Sequence, residues 1–248
     1  FTDLVLFGDN GESFFTKVPS TPAKPKQADL TGIKRSTDTA GRDVSKVTEV
    51  VHGTKVGSNT LLQKVGAETG LIATKGFRDV LEIGRVRTPT MFDLSWEKAV
   101  PLITRRYRME VDERSTADGR VLKTLDEKEI IRIGEFFTRE GVESVAICFL
   151  NSYRNPENEQ RALELMHKHF PDIHVTASIS VLPEIREYER TSTTAVNAYV
   201  LPSLRAYFAR LESGLKEIGV SAPLLISNSN GGLSSAEMAQ EKPVFFIS

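Results

Sequence analysis

The 248-residue chain has a single cysteine, a single tryptophan and four histidines. With Cys148 alone, no disulfide closes within the chain and no thiolate cluster holds a metal. That usage suits a reducing compartment, and a cytoplasmic location is expected. Long apolar runs are lacking, so no membrane span is expected. No basic segment followed by an apolar one marks a signal peptide. Long basic runs are lacking too, and the formal net charge is -1. Nucleic-acid recognition needs a basic face, so no such partner is expected. Three common nucleotide or nucleophile signatures are missing: GxxxxGK[ST], GxGxxG after a strand, and GxSxG. Their absence weakens P-loop, Rossmann and α/β-hydrolase readings.

What is present reads as mixed α and β. FTDLVLF and ESFFTKV flank GDNG and predict a hairpin. Helix is expected from Asp29 to Arg35, strand in VTEVVHG and helix from Thr60 to Lys64. TGLIATKG reads as strand and FRDVLEIG as a helical turn or two. Arg85 to Arg105 is irregular, either a surface crossing or a lid. Further on, Thr124 and Glu127 have capping-box spacing ahead of Ile130, Ile133, Phe136 and Phe137 at helical intervals. ESVAICFL is a near-continuous apolar strand of the kind found centrally in parallel sheets. Asn155 and Pro156 open a helix whose face is Ala162, Leu163, Met166 and Phe170. A long helical region follows Pro183, and Pro202 should kink or divide it. APLLIS is a strand, NSNGG a loop and SSAEMAQ a helix, before a strand-like PVFFIS. The expected organisation is an α/β lobe portion over 1–104, an α/β subdomain over 105–180, and a helical region leading into a further lobe portion over 181–248.

Four polar loops each lie between a strand and a helix, where ligands bind in open α/β sheets. HGTKVGSN, residues 52–59, combines glycines with hydroxyls, a lysine and an asparagine. Thr54, Ser58 and Asn59 suit phosphate oxygens, and Lys55 a negative charge; the same residue types also cap helices with no ligand. His52 has no second histidine at metal-ligand spacing nearby, and a lone histidine at a strand end is more often structural. NSNGG, residues 228–232, places Gly231 beside Gly232, where a close ligand or positive φ is accommodated. In TKGFRDVLEIGR, Asp79 and Glu82 share a helical side and suit either a metal or plain solvation. In REYERTST, Glu184, Glu187 and Tyr188 lie on one side of a helix, with Glu189, Arg190, Thr193 and Asn197 on another. That arrangement suits either a pocket or a polar seam between helices.

Taken in order, FTDLVLF, KVPSTP, VVHGTKVGSNTLLQKVGAETGLIATKGFRDVLEIGR, AICFLNSYRNPENE, VLPEIREYERTSTTAVNAYV and LLISNSNGG resemble the A subunit of ATP-dependent hydantoinases and 5-oxoprolinases. Acetone carboxylase subunits form a related branch, so the alternatives to a hydrolase subunit are a carboxylase-like subunit and a non-catalytic fold or assembly fragment. The resemblance runs along essentially the whole chain. It implies an actin-like, RNase H-like ATPase fold, incomplete here, because Phe1, Thr2 and Asp3 match only the end of the family's GGTFTD. The SGPAAG-like second phosphate loop would lie past Ser248. It further implies ATP with Mg²⁺ as cofactors, a small cyclic amide as substrate, and a hetero-oligomer with a B-type subunit or fused domain. Residue by residue, Asp3 and His52 become candidate catalytic groups, and Asp3 a metal ligand. Thr2, Gly53, Thr54, Lys55, Asn59, Asn230, Gly231 and Gly232 become candidate nucleotide contacts. At Lys55 the chain departs from the family's HGTT. Glu184, Arg186, Glu187, Glu189, Arg190 and Thr191 match the PEIREYERT stretch.

Overall fold

The computed structural model describes residues 1–20, 25–85, 93 and 95–247, the side chains of 25–27 excepted. Part of the Arg85 to Arg105 crossing, at 86–92 and 94, lies outside the described residues. The elements in chain order are β1 (Thr2–Phe7), β2 (Ser13–Val18), α1 (Pro25–Thr39), β3 (Val50–His52), α2 (Val56–Leu62), β4 (Thr69–Thr74) and α3 (Val80–Ile83). Next come β5 (Arg108–Val111), β6 (Arg114–Ser115), β7 (Val121–Lys123), α4 (Glu127–Arg139), β8 (Ser144–Cys148) and α5 (Glu157–His169). The chain continues through β9 (His174–Ala177), α6 (Ser178–Val181), α7 (Glu187–Glu217), β10 (Leu224–Ser227), β11 (Leu233–Ser235) and α8 (Ala236–Glu241).

Two compact units form, one from Phe1–Asn59 with Ser203–Ser248, the other from Thr60–Pro202. Strand pairing joins segments distant in the chain: β4 hydrogen-bonds β5 and β8, and β10 returns to pair with β3.

In the larger unit the sheet runs β5-β4-β8-β9, and every pairing is parallel. Successive strand side chains point to opposite faces. Ile72, Val145 and Ile147 accordingly join one core with Ile130, Ile133 and Phe137 of α4 and Ala162, Leu165 and Met166 of α5. Leu71, Ala73, Ala146 and Cys148 join the other, with Leu81 of α3 and Ala195 and Ala198 of α7. Both faces are covered, which is why the strands read as unbroken apolar runs. Gly70 marks a close approach: a Cβ there would lie 2.6 Å from the ring of Phe137.

In the smaller unit β1 and β2 form the expected hairpin, paired antiparallel from Thr2↔Val18 to Phe7↔Ser13. Helix α1 packs against both strands. A separate sheet runs β11-β10-β3, with β10 parallel to β3 and antiparallel to β11.

Local chemistry differs from expectation at four places. α1 extends well beyond Asp29 to Arg35 in both directions. α4 is capped by Asp126, whose carboxylate accepts from the Lys128 amide, rather than by Thr124; Asp126 directly precedes the first helical residue, where a cap must sit. Pro202 does not divide α7. Its lost hydrogen bond costs roughly 3 kcal/mol, which the burial of Ala198, Val200 and Leu201 before it, and Leu204, Tyr207 and Phe208 after it, offsets. Finally, Pro243–Phe246 is a turn of 3₁₀ helix, not a strand. Pro243 supplies no ladder N–H, and Phe246 is buried.

Candidate functional site

HGTKVGSN begins on the last residue of β3. NSNGG begins after the last residue of β10. Those strands are parallel neighbours with His52 opposite Ile226, so both loops leave the same carboxyl edge of one sheet. Such an edge is where α/β sheets take ligands. His52, Gly53, Thr54, Lys55 and Asn59 are thereby brought to the edge that carries Asn230, Gly231 and Gly232. Thr2 and Asp3 are not: they lie on β1, in the unit's other sheet. There Asp3 is largely exposed and ion-paired with Lys17 at 3.1 Å, and the Thr2 hydroxyl lies 3.4 Å from that of Ser20.

Each loop has its own internal order. Thr54 Oγ1 accepts from the Val56 amide at 3.2 Å and so caps α2. The Lys55 carbonyl accepts from the Asn59 amide at 2.9 Å and the Ser58 hydroxyl at 3.1 Å, while its side chain is exposed. Among the described residues, chain neighbours aside, a Cβ on Gly53 would meet nothing within 4 Å. In the second loop Gly231 and Gly232 have φ of 88° and 83°, a region L side chains resist. The Asn228 amide donates to the Gly232 carbonyl at 3.1 Å. Asn228 Oδ1 is buried with no hydrogen-bond partner among the described residues. Ser229 and Asn230 face solvent.

Beneath the first loop lies a polar contact that sequence patterning does not show. The Tyr207 hydroxyl, from α7, donates to Asp29 Oδ2 of α1 at 3.1 Å and lies 2.7 Å from His52 Nε2. Burial pushes the Asp29 carboxyl up, countered by His52 and by the Tyr207 hydrogen bond. Burial pushes the His52 imidazole down, countered by the Asp29 charge. The Tyr207 phenol is pushed up, first by burial and then by Asp29. Tyr207 is visible in the sequence only as one of an apolar stripe with Leu211 and Leu215. Its hydroxyl is the sole hint of a polar partner.

The other two loops serve the larger unit. Asp79 takes a two-pronged hydrogen bond from Arg105 at 3.0 and 2.9 Å. Glu82 accepts from the buried Arg108 at 3.1 Å, and Glu189 pairs with Arg85. Arginines thus occupy the carboxylates that suited a metal or solvent. In REYERTST, Arg190 donates to the Phe149 carbonyl and Thr191 to Cys148 Sγ at 3.1 Å. Asn197 donates to Thr176 Oγ1 at 3.2 Å. These make a buried polar seam between α7 and the sheet.

Comparison with known proteins bears on the same segments. The family model for the hydantoinase/oxoprolinase N-terminal region matches residues 1–170, and that for hydantoinase/oxoprolinase matches 190–248. An uncharacterized protein of Methanocaldococcus jannaschii is 39% identical over 100% of this chain and 36% of its own length. Caprolactamase subunit alpha of Pseudomonas jessenii is 35% identical over 98% of this chain and 36% of its own. The crystal structure of ATP-dependent caprolactamase from Pseudomonas jessenii superposes with a TM-score of 0.91, at 35% identity, over 100% of this chain and 37% of the other. Acetone carboxylase in its nucleotide-free structure shares the fold, with a TM-score of 0.85 at 23% identity over 98% of this chain and 37% of the other. The chain therefore spans just over a third of the length of these relatives. Its α/β architecture is the incomplete actin-like fold that the sequence led us to expect. With both family models matched in order along the chain, this protein belongs to the hydantoinase/oxoprolinase family.

Proposed function

We propose that the chain is the nucleotide-handling portion of an ATP-dependent enzyme that opens a cyclic amide. The observation that supports this most is the shared carboxyl edge of β3 and β10, where two glycine-bearing loops emerge side by side. Gly53 leaves open space for a phosphate to approach the backbone. Gly231 and Gly232, held at positive φ, turn the second loop without a side chain in the way. Gly53, Thr54, Lys55 and Asn59 would hold phosphate oxygens from one side, and Asn230, Gly231 and Gly232 the nucleotide from the other. Preorganised N–H groups and a lysine stabilise phosphoryl charge without reorganising during the reaction.

A ring amide resists water because resonance protects its carbonyl carbon. Transfer of phosphate from ATP to the amide oxygen makes that carbon electrophilic. Water then adds, the ring C–N bond breaks, and phosphate leaves. The family name and the caprolactamase relative support this substrate class. Mg²⁺ would arrive on the nucleotide. Among the described residues no three His, Cys, Asp or Glu side chains form a metal cage. Asp3, in the unit's other sheet and paired with Lys17, is left out of this arrangement; the ion would keep its waters and phosphate ligands. A B-type subunit or fused domain would complete the ring-opening site, in a cytoplasmic hetero-oligomer.

The test is ATP turnover by the full-length protein with its partner subunit. Hydantoin, 5-oxoproline or caprolactam should stimulate ADP release in step with ring opening. Stimulation by acetone and bicarbonate alone, with no response to any cyclic amide, would replace this reading with a carboxylase.

A further inference from the structure

Asp29, Tyr207 and His52 come from α1, α7 and β3, yet they form one hydrogen-bonded row. A tyrosine hydroxyl has one proton to give, and an ionised carboxylate has none. Tyr207 gives its proton to Asp29 Oδ2. It therefore has none for His52, and its 2.7 Å contact with Nε2 requires the proton to sit on the imidazole nitrogen. Which ring nitrogen of a histidine carries the proton is set by the hydrogen bond the other end makes.

We propose that Asp29, acting through Tyr207, holds His52 as the neutral Nε2–H tautomer and so leaves Nδ1 as a bare acceptor at the head of the 53–59 loop. Nδ1 makes no hydrogen bond among the described residues. Its natural ligand chemistry is a group that brings a proton, such as a water, a hydroxyl or an N–H of a bound small molecule. A phosphate oxygen, which brings none, is left to the backbone and to Lys55. Burial of the ring opposes its protonation to the imidazolium, in which both nitrogens would be donors. Asp29 and Tyr207 are positioning residues in this scheme: they act on His52 and not on a ligand. The opposite proton order, from a protonated Asp29 through Tyr207 to Nε2, would put the imidazole proton on Nδ1 and abolish the acceptor.

The two orders are distinguished by solid-state ¹⁵N spectra of the full-length protein with ¹⁵N-labelled histidine at pH 8, taken without nucleotide so that the result is independent of the ATP reading. His52→Gln identifies the signals by their loss. The wild type should show a protonated Nε2 and an unprotonated Nδ1. In Asp29→Leu, Tyr207 regains its proton for Nε2, and the two ring-nitrogen signals should exchange types. Tyr207→Phe should give both tautomers, and it carries the test if Asp29→Leu fails to fold. A wild-type Nδ1–H signal would overturn the proposal. So would an unchanged Nε2–H tautomer in either folded variant.

Discussion

The carboxylate of Glu159 accepts the backbone amide of Phe149 at 2.7 Å. Its second oxygen accepts from the Ile179 amide at 2.9 Å and the Ser178 hydroxyl at 2.8 Å. One fully buried side chain on α5 thus ties the segments that leave the carboxyl ends of β8 and β9. Burial pushes its carboxyl up, and those hydrogen bonds, with one from Ser152, pull it back. Glu159→Gln should lower stability by about 1–3 kcal/mol, because an NH₂ group would then face an amide that also donates. Urea denaturation would show a lower midpoint. An unchanged midpoint would mean that the carboxylate is not what joins these segments.

His52 makes stability depend on pH. Its folded pKa lies below the ordinary 6.5, chiefly through burial. The unfolded chain therefore binds more protons between that folded value and 6.5. Stability from this group is full above pH 6.5 and falls as pH is lowered through the window. Asp29, raised from 3.8, acts in the opposite sense: its contribution is full below pH 3.8 and is lost as pH rises through its folded value. Melting temperature followed from pH 8 to pH 5 should decline, and His52→Gln should flatten the decline. An equal slope in the variant would remove His52 as its source.

Gly53 separates binding from folding. Chain neighbours aside, a Cβ there meets no atom of the described residues within 4 Å, and the residue does not have positive φ. Gly53→Ala should leave the melting temperature close to that of the wild type, yet raise the KM for ATP several-fold in the full enzyme. A normal KM would place the nucleotide elsewhere.

Gly70 is the reverse case. Its missing side chain lets α4 approach β4, with Phe137 directly above. Gly70→Ala would place a methyl 2.6 Å from that ring. Overpacking of this kind costs about 1–3 kcal/mol, detectable as a lower unfolding midpoint with no change in the KM for ATP.

Much of this was legible in the residues. FTDLVLF-GDNG-ESFFTKV predicted its own hairpin because two-residue alternation and turn chemistry are local. SVAIC read as a central strand because both its faces are covered. The ordered motifs carried family membership. Local spacing could not show that Asp79 and Glu82 face Arg105 and Arg108, nor that Pro243–Phe246 turns instead of extending.

What the sequence by itself determined was which face of each element would be buried, since periods of 2 and 3.6 residues are written in side-chain polarity. Only the tertiary structure decided which buried faces meet. The pairing of β10 with β3 sets HGTKVGSN and NSNGG side by side across more than half the chain. Tyr207 joins an apolar stripe by its position in the helix, but its hydroxyl finds His52, 155 residues away, through that same long-range arrangement. A hydroxyl at the end of an aromatic ring carries no periodicity. Its partner is fixed by strand order, which depends on backbone hydrogen bonds between segments that know nothing of one another until the chain has folded.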